Sequence, residues 1–244
     1  VRMQQRTFFR DNPNAPAAEI MAAGYRGFSR YTPPKTERQY MAYFPVNFSN
    51  VMWSDFETTH FDVDAGHPLE VCIVKTDDVL NVVDKIIVTI AFDLDIWDKP
   101  VHPKVRLMHS HSGLWDRCRR SDVMTEDVDE ALSRFVQKHW CGDQKARVGG
   151  CNPAFDRAWF AAWLPLTNSQ LDYHNFEIRT LQDTMHALGL DVDEPVQEDR
   201  HTAVGDVMYG IEIVRRVVKR ITGATGMELW AAADEPPVGN AIDT

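Results

Sequence analysis

Long apolar runs are missing from this 244-residue chain: none approaches the ~18 residues that a membrane-spanning helix needs, which excludes an integral helical membrane protein. Cysteine is scarce. Cys72, Cys118, Cys141 and Cys151 lie 46, 23 and 10 positions apart, with no CxxC pair and no zinc-ligand spacing. That pattern argues against a disulfide scaffold and a zinc module, and it points to a reducing, cytoplasmic compartment. Val1-Arg2-Met3-Gln4-Gln5-Arg6 lacks the continuous apolar stretch of a secretory signal. There is no internal repeat and no low-complexity tract. Lys and Arg are absent from the last residues, where two adjacent prolines and several small residues give the expectation of a flexible acidic tail over 223–244.

What remains is an ordinary globular composition, 44% hydrophobic and 25% charged, of a length that fits one large domain with extensions. Net charge is −10, but it is unevenly spread. Residues 1–50 carry seven Lys/Arg against three Asp/Glu, whereas 182–206 holds seven acids and the single base Arg200. An acidic body with a basic arm is commonly a solvated surface with an extension. Alternatively, some of the acids hold divalent cations, whose positive charge the sum leaves out.

Residues 1–46 read as a basic, aromatic N-terminal extension. A short helix is expected at 15–23, with Asn14 as N-cap and Gly24 after its end, and Tyr31-Thr32-Pro33-Pro34-Lys35 reads as a linker. The aromatics of this arm suit packing on the body or gripping single-stranded nucleic acid. The core spans 47–222. Asn50 to Glu57 reads as a strand, and period-2 alternation puts Asp55 and Glu57 on one face. Strands at 69–76 and 83–92 complete an antiparallel meander. Helices follow: one opening at Thr125 as N-cap, one from about 154 to Pro165, one from Thr180 to Gly189, and one from about 202 to 221. Short strands are expected at 146–148 and 176–178. Strands first, then helices alternating with short strands, make a mixed α/β layer fold.

Three sites carry the chemistry. Asp55 and Glu57 share a strand face; burying two like charges together is unfavourable unless cations compensate. Asp156 follows Asn152-Pro153-Ala154-Phe155 in a turn entering a helix, and His201-Thr202-Ala203-Val204-Gly205-Asp206 opens the last helix. Singly, each has a plain structural explanation as a first-turn helix acid, a cap or a solvated strand-end charge. Together, with the aspartates 101 and 50 residues apart, they form a joint signal.

In these residues the chain resembles the DEDDh 3′–5′ exonuclease superfamily. Asp55 and Glu57 match its first motif, Asp156 its second, and His201 with Asp206 its third, over about residues 48–220. It looks most like the oligoribonucleases. Ser112-Gly113-Leu114 follows a histidine-bearing strand end (His109, His111), Tyr173 to Leu181 is similar to the family's tyrosine-containing segment, and Phe61-Asp62 sits where the family has an apolar wedge followed by Asp. Thr58 stands where oligoribonucleases usually have Met, and His60 where most have Gly. The second motif, with Asn152 and Phe155, is similar to that of proofreading exonucleases.

The resemblance implies a ribonuclease H-like mixed β-sheet flanked by helices. It also implies a 3′–5′ exonuclease that releases nucleoside 5′-monophosphates from the 3′ ends of short single-stranded RNA or DNA. The alternatives are a DNA trimming or proofreading-type exonuclease and a catalytically silent nucleic-acid-binding protein on the same fold. Phosphodiester hydrolysis needs a strong nucleophile near neutral pH and stabilisation of the attacking and leaving oxygens, which two divalent ions ~3.5–4 Å apart provide. Hard Mg²⁺ or Mn²⁺ suits carboxylate oxygens. Asp55 would bridge two such ions, Glu57 and Asp206 would complete the nucleophile side, and Asp156 would hold the other. His201 would be the general base, since an imidazole is suited to accepting a proton around neutral pH. Thr58, Phe61, His109, His111, Ser112 and Tyr173 are the candidate substrate contacts; His109 and His111 as half of a zinc site lack further ligands at suitable spacing. Trp159 and Trp163, an i,i+4 pair, read as core or as the interface of a homodimer.

Overall fold

The computed structural model describes residues 48–95, 97, 99–140, 145–197 and 201–224. The arm, with its helix at 15–23, and the tail beyond 224 lie outside the described residues. A 3₁₀ turn at Phe48–Asn50 leads into β1, Val51–Thr58, which pairs antiparallel with β2, Pro68–Thr76; β2 pairs antiparallel with β3, Val82–Thr89. On the other side β1 runs parallel to β4, Ala146–Gly150, and β4 parallel to β5, Leu171–Glu177. The order β3-β2-β1-β4-β5 makes a mixed sheet with β1 at its centre.

β1 is buried on both faces, and its alternation sorts its side chains. Val51 and Trp53 point into one apolar cluster, with Cys72, Val74, Ile178, Ile211 and Val214. Met52 and Phe56 point into another, with Val71, Ile73, Leu132, Trp159 and Phe160. The first cluster is closed by α6 (Ile178–Ala187) and α7 (Ala203–Ala224). The second is closed by α3 (Thr125–His139) and α4 (Pro153–Trp163). Asp55 and Glu57 continue the Val51–Trp53 face, toward the helix that carries Asp206.

The meander is as expected, and the departures are local. The segment holding His109 and His111 is a helix, α1 (Pro103–Ser112), not a strand end. Its start is set by Pro103 at the first helical position and by the His102 ring, which accepts from the Lys104 N–H; its end is set by Gly113 at φ 69°. A second short helix, α2 (Leu114–Arg120), follows. α3 is capped by Met124 rather than Thr125, with the Asp127 carboxylate accepting from the Met124 N–H at 3.3 Å. Pro165 does not simply close α4 but opens a single turn, α5 (Pro165–Asn168), whose Leu166 and Thr167 N–H groups donate to the buried Asp129. The strand expected at 176–178 lies earlier, because the Glu177 carboxylate accepts from the Arg179 and Thr180 N–H groups and starts α6 at Ile178. The last helix continues to Ala224, past Gly223.

Candidate active site

Parallel pairing of β1 and β4 ends at Trp53–Gly149, so the two strands part just before Asp55. The close approach ahead of that point needs glycine. A Cβ at Gly149 would lie 2.3 Å from Val51 Cγ1, and one at Gly150 3.0 Å from the Ser54 carbonyl oxygen. β4 then turns through Asn152, left-handed at φ 69°, into α4. That turn brings Asp156 in the first turn of α4 back to β1, where its Oδ1 accepts from the Phe56 N–H at 3.0 Å. Asp156 thereby takes a strand donor that β4 no longer reaches.

The third motif is built by capping. Thr202 Oγ1 accepts from the Gly205 N–H at 3.1 Å, and the buried Ala203 lets the helix start settle on the sheet. Asp206 lies one turn further on, its N–H bonded to the Thr202 carbonyl at 3.0 Å. One oxygen each from Asp55, Glu57 and Asp206 falls within 4.8 Å of the others. Asp206 also accepts from the Gln197 carboxamide. His201 stands just ahead, at φ 61°. Asp55, Cys151, Arg179, Asp183, His201 and Asp206 line one groove of about 960 Å³.

So many carboxylates in one place resist ionisation. Burial, followed by the charges of Asp156, Glu57, Asp206 and Glu70, holds Asp55 well above the usual carboxylate range. Glu57 is pushed up to about 8 by burial and by Asp206 and Glu70, with Arg117 opposing. Asp156 is pushed up to about 8 by burial, against the lowering effect of the Phe56 N–H. Glu57 Oε1 is buried with no hydrogen-bond partner among the described residues. A hard divalent cation would satisfy that oxygen and reverse the repulsion, and the all-oxygen donor set fits Mg²⁺ or Mn²⁺.

The substrate-contact candidates scatter. Thr58 is buried, and its hydroxyl donates to the His60 carbonyl at 2.8 Å. Phe61 is 52% exposed, its ring 4.7 Å from that of His102. His109 is 1% exposed; its Nε2 lies 3.0 Å from the Thr58 carbonyl oxygen and 3.8 Å from Glu57 Oε2. Burial first, then the nearby His201 and Arg117 charges, lower its pKa despite the Thr58 contact. His109 therefore touches a site carboxylate, while His111 is exposed. The Ser112 hydroxyl is buried without a partner among the described residues. Tyr173 is 80% exposed on β5, away from the groove lining. Trp159 is fully buried, and Trp163 packs its ring 4.9 Å from His67.

Two residues at the site escaped the sequence reading. Glu70 lies opposite Glu57 in the β1–β2 register, and Arg117 pairs with it at 3.0 Å. The available signal was a lone charge inside the apolar run Leu69-Glu70-Val71-Cys72-Ile73.

No protein-family model matches the chain. It is 25% identical over 175 residues to an oligoribonuclease of Chromobacterium violaceum, covering 68% of this chain and 92% of that protein. It is 26% identical over 168 residues to a probable oligoribonuclease of Drosophila melanogaster, covering 67% and 78%. Among solved structures it shares its fold with exonuclease I of Methylocaldum szegediense, with TM-score 0.53 at 16% identity over 72% of this chain and 42% of that one. Exonuclease I of E. coli, solved in complex with a dT13 oligonucleotide, gives TM-score 0.52 at 12% identity over the same shares. The chain thus spans less than half the length of exonuclease I. The fold is the ribonuclease H-like one expected, the relatives in sequence are oligoribonucleases, and neither comparison favours a silent binding protein. No described helix is long and apolar enough to cross a membrane.

Proposed function

We propose that this chain, a relative of the oligoribonucleases, is a metal-dependent 3′–5′ exonuclease that removes nucleoside 5′-monophosphates from short single-stranded RNA or DNA. One observation carries the reading. Carboxylate oxygens from β1 and α7, far apart in sequence, meet within 4.8 Å. Asp156, bonded to the β1 backbone beside them, and His201 in the same groove complete the set.

Asp55, Glu57, Asp156 and Asp206 would hold Mg²⁺ or Mn²⁺. When bound, such ions lower the pKa of water and stabilise the attacking and leaving oxygens. His201 accepts a proton from the attacking water as its oxygen bonds to the terminal phosphorus. The bond from that phosphorus to the preceding nucleotide's 3′-oxygen breaks, the 3′-oxygen takes a proton from solvent, and a nucleoside 5′-monophosphate leaves. Phe61 offers an exposed ring for a base, and its edge-on contact with His102 fixes that ring. Ser112 supplies a hydroxyl, and His109 orients Glu57. Tyr173, exposed on the edge strand, would serve this groove or that of a second copy in a homodimer. The free state of Cys72, Cys118 and Cys151 fits a cytoplasmic setting.

The test uses 5′-labelled RNA and DNA, from dinucleotides to chains of about 20 residues, with Mg²⁺, Mn²⁺ or EDTA. We expect shortening from the 3′ end that EDTA abolishes, fastest on RNA of two to five residues. Cleavage that survives thorough chelation would overturn the metal-dependent reading. Equal rates on long DNA and short RNA would move the substrate to DNA trimming.

A further inference from the structure

Glu57 and Glu70 face each other across β1 and β2, and like charges directly opposite are destabilising. The two are handled differently. Glu57 keeps an unpartnered buried oxygen, whereas Glu70, 3% exposed, is surrounded by donors. Arg117 Nη2 donates to its Oε1 at 3.3 Å and its Oε2 at 3.0 Å, and Thr89 Oγ1 donates to Oε2 at 2.9 Å. The backbone N–H of Ala203, 133 positions away in sequence, donates to Oε1 at 3.3 Å.

Ala203 is the first residue of α7, two positions after His201. The first N–H groups of a helix have no partner within it, and Glu70 takes one of them. His201 holds a left-handed backbone that a residue with a Cβ keeps only when its surroundings fix it. The anchored Ala203 N–H is a fixed point beside it. On the other side, Arg117 Nη1 donates to the Ser112 carbonyl at 2.8 Å, just before the left-handed Gly113. One ion pair therefore touches both the turn that carries the proton acceptor and the turn between α1 and α2.

We propose that Glu70 and Arg117 are positioning residues for the exonuclease reaction: their half-buried ion pair ties the His201 turn to the Ser112–Gly113 turn, so that base and substrate-facing turn are set together. The proposal rests on the exonuclease reading. It gives Glu70 no part in holding cations, since its oxygens take four hydrogen bonds from three donor groups and it lies outside the close set formed by Asp55, Glu57 and Asp206. Arg117 is 35% exposed, yet its one guanidinium serves two elements at once.

The test compares Glu70→Gln, which keeps the shape and removes the charge, with Arg117→Lys, which keeps the charge and removes the fork. A misplaced base costs up to ~10²-fold, so each variant should lose ~10–100-fold in kcat. KM for a dinucleotide and Mg²⁺ affinity by calorimetry should stay within about threefold. Adding Glu70→Gln to His201→Ala should cost little beyond His201→Ala alone, because residues that act as a unit are not additive. Hydrogen exchange at the Ala203 amide should quicken at least tenfold in both variants, while the amides of β1 keep their protection. Losses that multiply in the double variant, or an Ala203 amide as protected as in the parent, would overturn the proposal. If Glu70→Gln does not fold, Arg117→Lys carries the same exchange and kinetic tests. An inactive parent protein would strike at the exonuclease reading alone, whereas the Ala203 exchange reads the tie without activity.

Discussion

Acids gather at two places on this sheet and meet opposite company. At the outer edge, Asp84 on β3 lies 2.8 Å from both Lys138 Nζ and His139 Nε2, and hydrogen bonds from these two groups hold its carboxyl down at about 2. At the centre, burial raises Asp55, Glu57 and Asp156, and repulsion from neighbouring acids adds to it at Asp55 and Glu57. A carboxylate is thus driven in opposite directions at the edge and at the centre of one sheet. The edge acid is satisfied within the protein, whereas at the centre Glu57 Oε1 has no partner among the described residues and is left to a cation. Glu70, next to the central group yet ringed by donors, marks the boundary between the two treatments.

The largest effect should come from changing the central group. Asp206→Asn removes an anionic oxygen from the close set, so single-turnover cleavage should fall by about 10³-fold or more and Mg²⁺ binding should weaken in the same titration. Retention of both would place the active centre elsewhere. His201→Ala should lose ~10²–10⁴-fold in rate, the range of general acid–base catalysis, yet bind Mg²⁺ nearly as the parent does. Loss of metal affinity matching that of Asp206→Asn would make His201 a ligand and end its role as base.

The contrast in protonation has a thermodynamic signature. For raised acids the folded state binds more protons than the unfolded state between about pH 4 and pH 8, so metal-free stability falls as pH rises through that window. The metal-free melting temperature should drop by about 5 °C or more between pH 5 and pH 8, since ~1 kcal/mol moves it ~2–4 °C at this size. Saturating Mg²⁺ at pH 8 should restore it. A difference between metal-free and Mg²⁺-loaded protein that ignores pH would break the argument. Asp84 has the opposite sign: its contribution is present above about pH 4 and is lost as pH falls toward 2. Its partners are partly solvated and such pairs are worth ~0–1 kcal/mol, so Asp84→Asn should shift the melting temperature by at most ~4 °C at pH 7. Cleavage should be untouched; a tenfold loss would mean that the edge and the centre are coupled.

Much of the centre was legible before any fold was known. The strands 51–58 and 68–76 announce themselves by short apolar runs, and the last helix by its helical period. The helix at Pro103–Ser112 was misread because His109 and His111 invite a period-2 reading. His102-Pro103 at its start and Gly113 at its end were the better signals, since both act through the backbone rather than through the pattern of side chains. Glu70 went unread because its meaning lies in partners 47 and 133 positions away.

By itself, then, the sequence determined which chemistry is on offer. Hard carboxylate oxygens and an imidazole are properties of the residues, and their placement at a strand end and two helix starts follows from local rules of alternation and capping. Only the tertiary structure decided which acids are used and which are satisfied. That choice turns on β1–β2 register, on where β1 and β4 part, and on which donor reaches which oxygen. These are long-range contacts, and the free energy of a buried charge depends on them far more than on the identity of the residue that carries it.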